Sequence, residues 1–368
     1  MREIRVFLCG DVMTGRGIDQ ILPHPCANHL YEGFVKSASV YIRLAEERNG
    51  RIPIPVSPAY IWGAALDEWE HMHPDARVIN LETSITRSED YVPKGINYRM
   101  SPENAVCLRA AAIDCCVLGN NHVLDWGSAG LVGTLSVLEG LTIKTAGAGR
   151  DFAEARAPAI LEIDGKGRLI VFSLASPTSG VPPEWAATNE RPGVNFLPDF
   201  TEAAIATIRE QVAAVRKPDD VIIGSIHWGP NWGYAVPLYQ RYFAHALIDR
   251  AAFSIVHGHS SHHPKAIEIY KNRLILYGCG DLLNDYEGIG GDQAFRSELV
   301  LMYFVDIDPA TGDICNVELT PLRIFRFQLT ATSNNDRGWI RQMLDHECGQ
   351  FGVRIESKKE GRFLLSWQ

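Results

Sequence analysis

The chain has 368 residues, 46% of them hydrophobic and 21% charged, with a formal net charge of −9. That is the balance of a folded globular protein able to bury a sizeable core, and the acidic surplus argues against a nucleic-acid partner, which draws on a basic surface. No apolar run reaches the roughly 18 residues of a membrane span.

In chain order, a first strand is expected at 4–9, Ile4-Arg5-Val6-Phe7-Leu8-Cys9, with no signal-peptide pattern before it. The eight cysteines lack paired spacing and several sit inside apolar runs, which fits reduced thiols and a cytoplasmic chain. Residues 17–60 are irregular and rich in Pro and His, with a helical patch near 35–47; they read as an insert, either a lid or a surface excursion. A helix at 61–71, a strand at 77–80 and a polar loop at 83–100 follow. Then come a helix at 101–112, a strand at 115–118 and a helix at 130–139. Short strands alternate with turns over 141–175, and the prolines of 176–197 mark a loop. The apolar residues of 201–216 recur at helical spacing. Strands are expected at 220–226, 253–257, 265–270 and 273–277. The stretch 298–368 adds strands at 298–306, 313–320 and 362–366 and a helix at 334–347 as a C-terminal extension. Parallel strands with helical crossovers, followed by antiparallel runs, predict an α/β sandwich of two mixed sheets flanked by helices, a single domain over 1–368.

Five apolar strands finish on metal-ligand side chains: Gly10-Asp11, Asn80-Leu81-Glu82, Asn120-Asn121-His122, His227-Trp228-Gly229 and Gly258-His259-Ser260-Ser261-His262. Ligands of open α/β sheets gather beyond the carboxyl ends of the strands, so the five runs predict one dinuclear metal centre at one sheet edge. Carboxylate, amide and imidazole without thiolate select Zn, Fe or Mn, with Glu82 or Asp11 as the bridge between two ions. His122, with Asp125 three residues on to orient its ring, is the candidate for proton transfer. Arg16, five residues beyond Asp11, either holds an anionic group over the ions or pairs with a neighbouring acid, and Arg99 is read the same way. Trp228, in a cluster with Trp232 and Tyr234, offers an apolar wall for an organic substrate or packs in the core.

These residues resemble the CapA family of poly-γ-glutamate and capsule-synthesis proteins, which is similar in fold and metal motifs to the calcineurin-like metallophosphoesterases. The resemblance runs from about Val6 to Asp285, through Gly-Asp-Val-Met-x-Gly-Arg at 10–16, Asn-Leu-Glu-Thr-Ser-Ile-Thr at 80–86 and Asn-Asn-His-Val-Leu-Asp-x-Gly at 120–127. It continues through His-Trp-Gly at 227–229, Gly-His-x-x-His at 258–262, Glu268 and Tyr277-Gly278-Cys279-Gly280-Asp281. It implies a four-layer αββα sandwich and two divalent metal ions. The implied ligands are Asp11, Glu82, Asn121, His227, His259 and His262, with His122 in the place of the catalytic histidine. The chain departs from that pattern at Met13, where phosphoesterases carry histidine, at Glu82 for Asp, at Asn231 for Glu and at Asp281 for Asn. Its last loop is His-x-x-His rather than His-x-His, which leaves open which of His257, His259 and His262 are ligands.

The function expected is a metal-dependent hydrolase acting through metal-bound hydroxide on a phosphoester, amide or related bond of a small or polymeric metabolite. A di-iron oxygenase or oxidase on the same fold is the alternative, and a non-catalytic partner in capsule or polyglutamate assembly is another.

Overall fold

The computed structural model describes residues 3–290 and 294–367. Its centre is β1 (Ile4–Val12), nine residues of almost unbroken burial. Successive side chains of a strand point to opposite faces. Accordingly Ile4, Val6 and Leu8 enter one apolar cluster while Phe7 and Cys9 enter another. Parallel to β1 run β2 (Ala76–Leu81) and, beyond it, β3 (Cys115–Val117) and the short strand Lys144–Ala146. A second sheet is built on β4 (Gly167–Ala175), β5 (Asp220–His227) and β6 (Ile255–His259), again parallel, with antiparallel strands closing its edges.

The two sheets share one inner cluster: Val78, Val117, Val171, Ile223 and Ile255 meet there. The outer face of the first sheet packs on Trp62, Trp69 and Leu135, and that of the second on Ile205, Ile208, Phe243 and Leu247. All five of these flanking segments are helical. The result is the αββα order of layers of the calcineurin-like sandwich.

Three segments are placed more specifically than expected. The insert puts Ile18, Ile21, Tyr41, Ile42 and Ala45 into the outer core of the first sheet, on the helices Arg16–Ile21 and Ser39–Asn49. The C-terminal stretch completes the first sheet: β8 (Leu299–Ile307) pairs antiparallel with β1, and β9 (Ile314–Ile324) pairs with β8, while β7 (Asp281–Leu283) lies parallel to β1 on its far half. A helix at Leu238–Ala251, absent from the sequence reading, packs Phe243, Ala244 and Leu247 against the second sheet. Among the described residues no helix is long and apolar enough to cross a membrane.

Candidate metal centre

The parallel strands of both sheets point their carboxyl ends to one edge, where Asp11, Glu82, Asn121, His227, His259 and His262 come together. Asp11 is fully buried. Its Oδ1 accepts from Asn80 Nδ2 at 2.8 Å, and among the described residues its Oδ2 has no hydrogen-bond partner. The same Asn80 amide reaches Glu82 Oε2 at 3.1 Å, so one side chain holds two carboxylates. Asn120, in turn, donates to Asn80 Oδ1 at 3.0 Å and fixes the orientation of that amide.

The imidazoles arrive from the second sheet. His227 Nδ1 lies 2.7 Å from His259 Nδ1, and His227 Nε2 lies 3.0 Å from Asn121 Oδ1 and 4.0 Å from Glu82 Oε2. His259 turns its other nitrogen to Ser225 Oγ at 2.7 Å, an outer contact of the kind that sets a ligand's tautomer. His257 is engaged elsewhere: its Nε2 meets Cys9 O at 2.7 Å and its Nδ1 meets Ser225 Oγ at 3.1 Å. Both nitrogens of His257 are thus engaged, Nε2 across to the first sheet and Nδ1 within the second, which leaves His259 and His262 at the cluster. His262 Nδ1 lies 2.9 Å from Asp281 Oδ1, and its Nε2 3.1 Å from Asn231.

Ligand atoms of two groups lie within 4.8 Å of one another: Asp11 with His227 and His259, and Asp11 with His262 and Asp281. Asp11 is common to both. Burial and the charge of Asp281 push its carboxyl up to about 7, and burial with the charge of Asp11 pushes Glu82 well up. Burial, then the neighbouring imidazoles, hold His227 and His259 well below the ordinary range. Burial also pulls His262 down, but the Asp281 carboxylate outweighs it and the ring ends above its usual value. Burial disfavours charge on both kinds of group, so the cluster holds acids that resist ionising beside imidazoles that, His262 apart, resist protonation. The donor set and the unpartnered Asp11 Oδ2 fit divalent cations.

His122 stands beside this set. Its Nδ1 bonds Asp125 Oδ2 at 2.7 Å, and its Nε2 lies 3.7 Å from Glu82 Oε1. Asp125 also accepts from Lys94 Nζ at 2.8 Å and from the Tyr98 amide at 2.6 Å. Burial lowers His122 to about 4 against the pull of Asp125, so the ring is neutral at neutral pH.

Arg16, Arg99 and Trp228, each given two readings, are held by protein partners. Arg16 is buried, bonded to Asp285 through two nitrogens and to Glu32 at 3.0 Å, the ion-pair alternative of its two readings. Arg99 pairs with Glu89 at 2.8 Å and lies over the Trp126 ring, with no contact to the cluster. Trp228 is 2% exposed, donates to Tyr277 O and packs beside Phe200 in the core. Sequence reasoning missed Lys94 and Ser225, for which it held no signal, and treated Asp281 only as a departure from a pattern. The signal for Asp281 was there: Gly280-Asp281 repeats Gly10-Asp11, and in the paired strands Asp11 faces Asp281.

Residues 5–286 match the family described as bacterial capsule synthesis protein PGA_cap. A probable polyglutamine synthesis accessory protein of Mycobacterium tuberculosis is 45% identical over 359 residues, 97% of this chain and 94% of its own. The capsule biosynthesis protein CapA of Bacillus anthracis is 21% identical, over 85% of this chain and 66% of its own. Among solved structures, a phosphatase of Mycoplasma pneumoniae superimposes with a TM-score of 0.50 at 13% identity, covering 88% of this chain and 94% of its own, a likeness of fold. With its family motifs gathered at one edge of a phosphatase-like sandwich, and nearly its whole length matched by the mycobacterial relative, the chain belongs to the PGA_cap family of bacterial capsule synthesis proteins.

Proposed function

We propose that the chain is a metal-dependent hydrolase whose two ions are held by Asp11, Glu82, Asn121, His227, His259 and His262, with His122 as the proton-transfer residue and Asp125 as its orienting partner. The observation that carries this reading is Asp11, which belongs to both groups of ligand atoms and keeps a buried oxygen without a donor. A carboxylate removed from water without a counter-charge costs several kcal/mol, and a position shared between two cations removes that cost. Imidazole, carboxylate and amide donors without thiolate suit Mn, Fe or Zn. Bound there, such ions would acidify a water toward neutrality and polarise the attacked group.

The protein's own part is proton traffic and orientation. Because Nδ1 of His122 is committed to Asp125, Nε2 is the atom left to exchange a proton. A neutral ring accepts at that atom first and returns the proton to the leaving group afterwards. The name of the mycobacterial relative favours a second reading, an accessory role in polymer synthesis in which the ions only support the fold.

Metal analysis of protein purified without added metal, joined to turnover on phosphoester and amide panels, separates the two. The hydrolase reading expects two ions per chain, a clear drop in Asp11→Asn, and His122→Ala that keeps its ions but loses turnover by about 10²–10⁴-fold. Retained ions with no turnover on any panel, and unfolding on chelation, would leave the accessory reading. Iron accompanied by O₂ consumption would move the chain to oxidation.

A further inference from the structure

A cavity of about 680 Å³ reaches the cluster at His262 and Asn231. Its chemistry bears on what the site cleaves, given the hydrolase reading on which this step rests. At the cluster, Asp11, Glu82 and Asp281 are all buried, so three carboxylates offset three of the four charges that two divalent ions bring. The nearby side-chain cations are committed: Arg16 to Asp285 and Glu32, Lys94 to Asp125. A phosphomonoester would bring a dianion to a nearly neutral centre with no free arginine or lysine to receive it. A neutral carbonyl meets no such cost.

Free positive charge lies elsewhere in the same cavity. Among the described residues Arg48 is exposed and makes no ion pair, and Arg323 keeps a buried Nε without a hydrogen-bond partner while its Nη1 lies 3.6 Å from Asp336 Oδ2. The acids that share this lining are occupied. Glu32 bonds Arg16, Glu287 accepts from the Arg326 and Phe327 amides, and Glu298 bonds Arg296. Part of the lining is apolar. Of the eleven large hydrophobic side chains left exposed among the described residues, Phe34, Ile96, Trp232 and Ile289 all line this one cavity, Phe34 at 93% exposure. Exposed apolar side chains gathered on a concave wall mark a ligand groove.

We propose that the site cleaves a carboxamide within an extended amphipathic chain. The neutral scissile carbonyl sits at the ions, an apolar stretch lies along the Phe34–Trp232 rim, and a distal carboxylate is held by Arg48 and Arg323. The oxygen of water adds to the carbonyl carbon, the C–N bond breaks, and His122 Nε2 delivers to the departing nitrogen the proton taken from that water.

Binding is measured first, by thermal shift and competition on the metal-loaded full chain, with the monohydroxamate of a straight dicarboxylic acid such as suberic acid and with its methyl ester. The acid is expected to bind about tenfold or more tightly. Arg48→Gln with Arg323→Gln should abolish the difference, and Arg48→Gln alone, at an exposed side chain, should reduce it even where the Arg323 change lowers stability. Turnover is then compared between the matching mono-p-nitroanilide and p-nitrophenyl phosphate, with the anilide expected to be preferred. Equal binding of acid and ester, or a preference that survives both arginine changes, overturns the proposal. Faster turnover of the phosphate overturns it while leaving the hydrolase reading intact. No turnover of either compound with ions bound overturns both.

Discussion

Asp11 owes its position to the missing side chain before it. A Cβ on Gly10 would stand 1.6 Å from the Gly280 carbonyl oxygen, and the Asp11 amide bonds that same oxygen at 2.9 Å. Only at this approach do the strands Ile4–Val12 and Asp281–Leu283 run side by side with their two aspartates opposed. In Gly10→Ala the strands must part, so a loss of about 3 kcal/mol or more is expected, read as a lower denaturant midpoint, together with weaker metal uptake. A near-wild-type midpoint would show that the approach is not needed. Asn80 acts more gently. Its amide holds Asp11 and Glu82 together, so Asn80→Ala is expected to weaken metal affinity about 10- to 100-fold in a chelator competition while the fold persists. Unchanged affinity would make Asn80 a packing residue. At this scale the sequence was only partly legible. His257 and His259 share a strand face because they are two residues apart, and spacing cannot tell which reaches the edge. The difference is depth between the sheets, where Cys9 O engages His257.

Elements read well where the local sequence alone decided them. The strands around Ile4–Val12, Ala76–Leu81, Cys115–Val117 and Asp220–His227 are short apolar runs ending in polar residues, and their order along the chain brought the metal-ligand side chains to one edge. What was not legible depended on partners far away in the chain. The 17–60 segment looked like a cover because its irregular composition hid Ile18, Ile21 and Ile42, which are core. Arg16 looked available because Asp285, 269 positions on, gives no local sign of pairing with it. The guanidinium of Arg16 also lies over the Tyr41 ring at 4.0 Å, so it fastens the insert to the loop that follows the first strand. Breaking a buried pair strands a charge, and Arg16→Leu is expected to cost about 3–5 kcal/mol in equilibrium unfolding. The ion count at the cluster should not change. A variant of normal stability with a raised KM would instead restore Arg16 as a substrate clamp.

For the molecule as a whole, the sandwich brings ionisable groups from two sheets into one dry place, and this ties stability to pH and metal. The folded Asp11 carboxyl is raised to about 7 from an ordinary 3.8 by burial and by Asp281. Below the ordinary value both folded and unfolded chains carry that proton, and Asp11 neither helps nor hurts. As pH climbs toward 7 the unfolded chain gives the proton up while the metal-free fold retains it, so folding becomes steadily less favourable; above that value the penalty stays constant. Glu82 is displaced in the same direction and adds to the effect. Divalent ions need both carboxylates ionised, so they bind more tightly over the same interval, and free ion at about 100 times Kd stabilises the fold by about 2.7 kcal/mol. The Tm of chelator-treated protein should therefore fall between about pH 4 and pH 7, whereas the gap between metal-loaded and metal-free Tm should widen. A gap that narrows as pH rises, or that is the same in Asp11→Asn as in the unmodified chain, would separate the buried acids from any ion the protein binds.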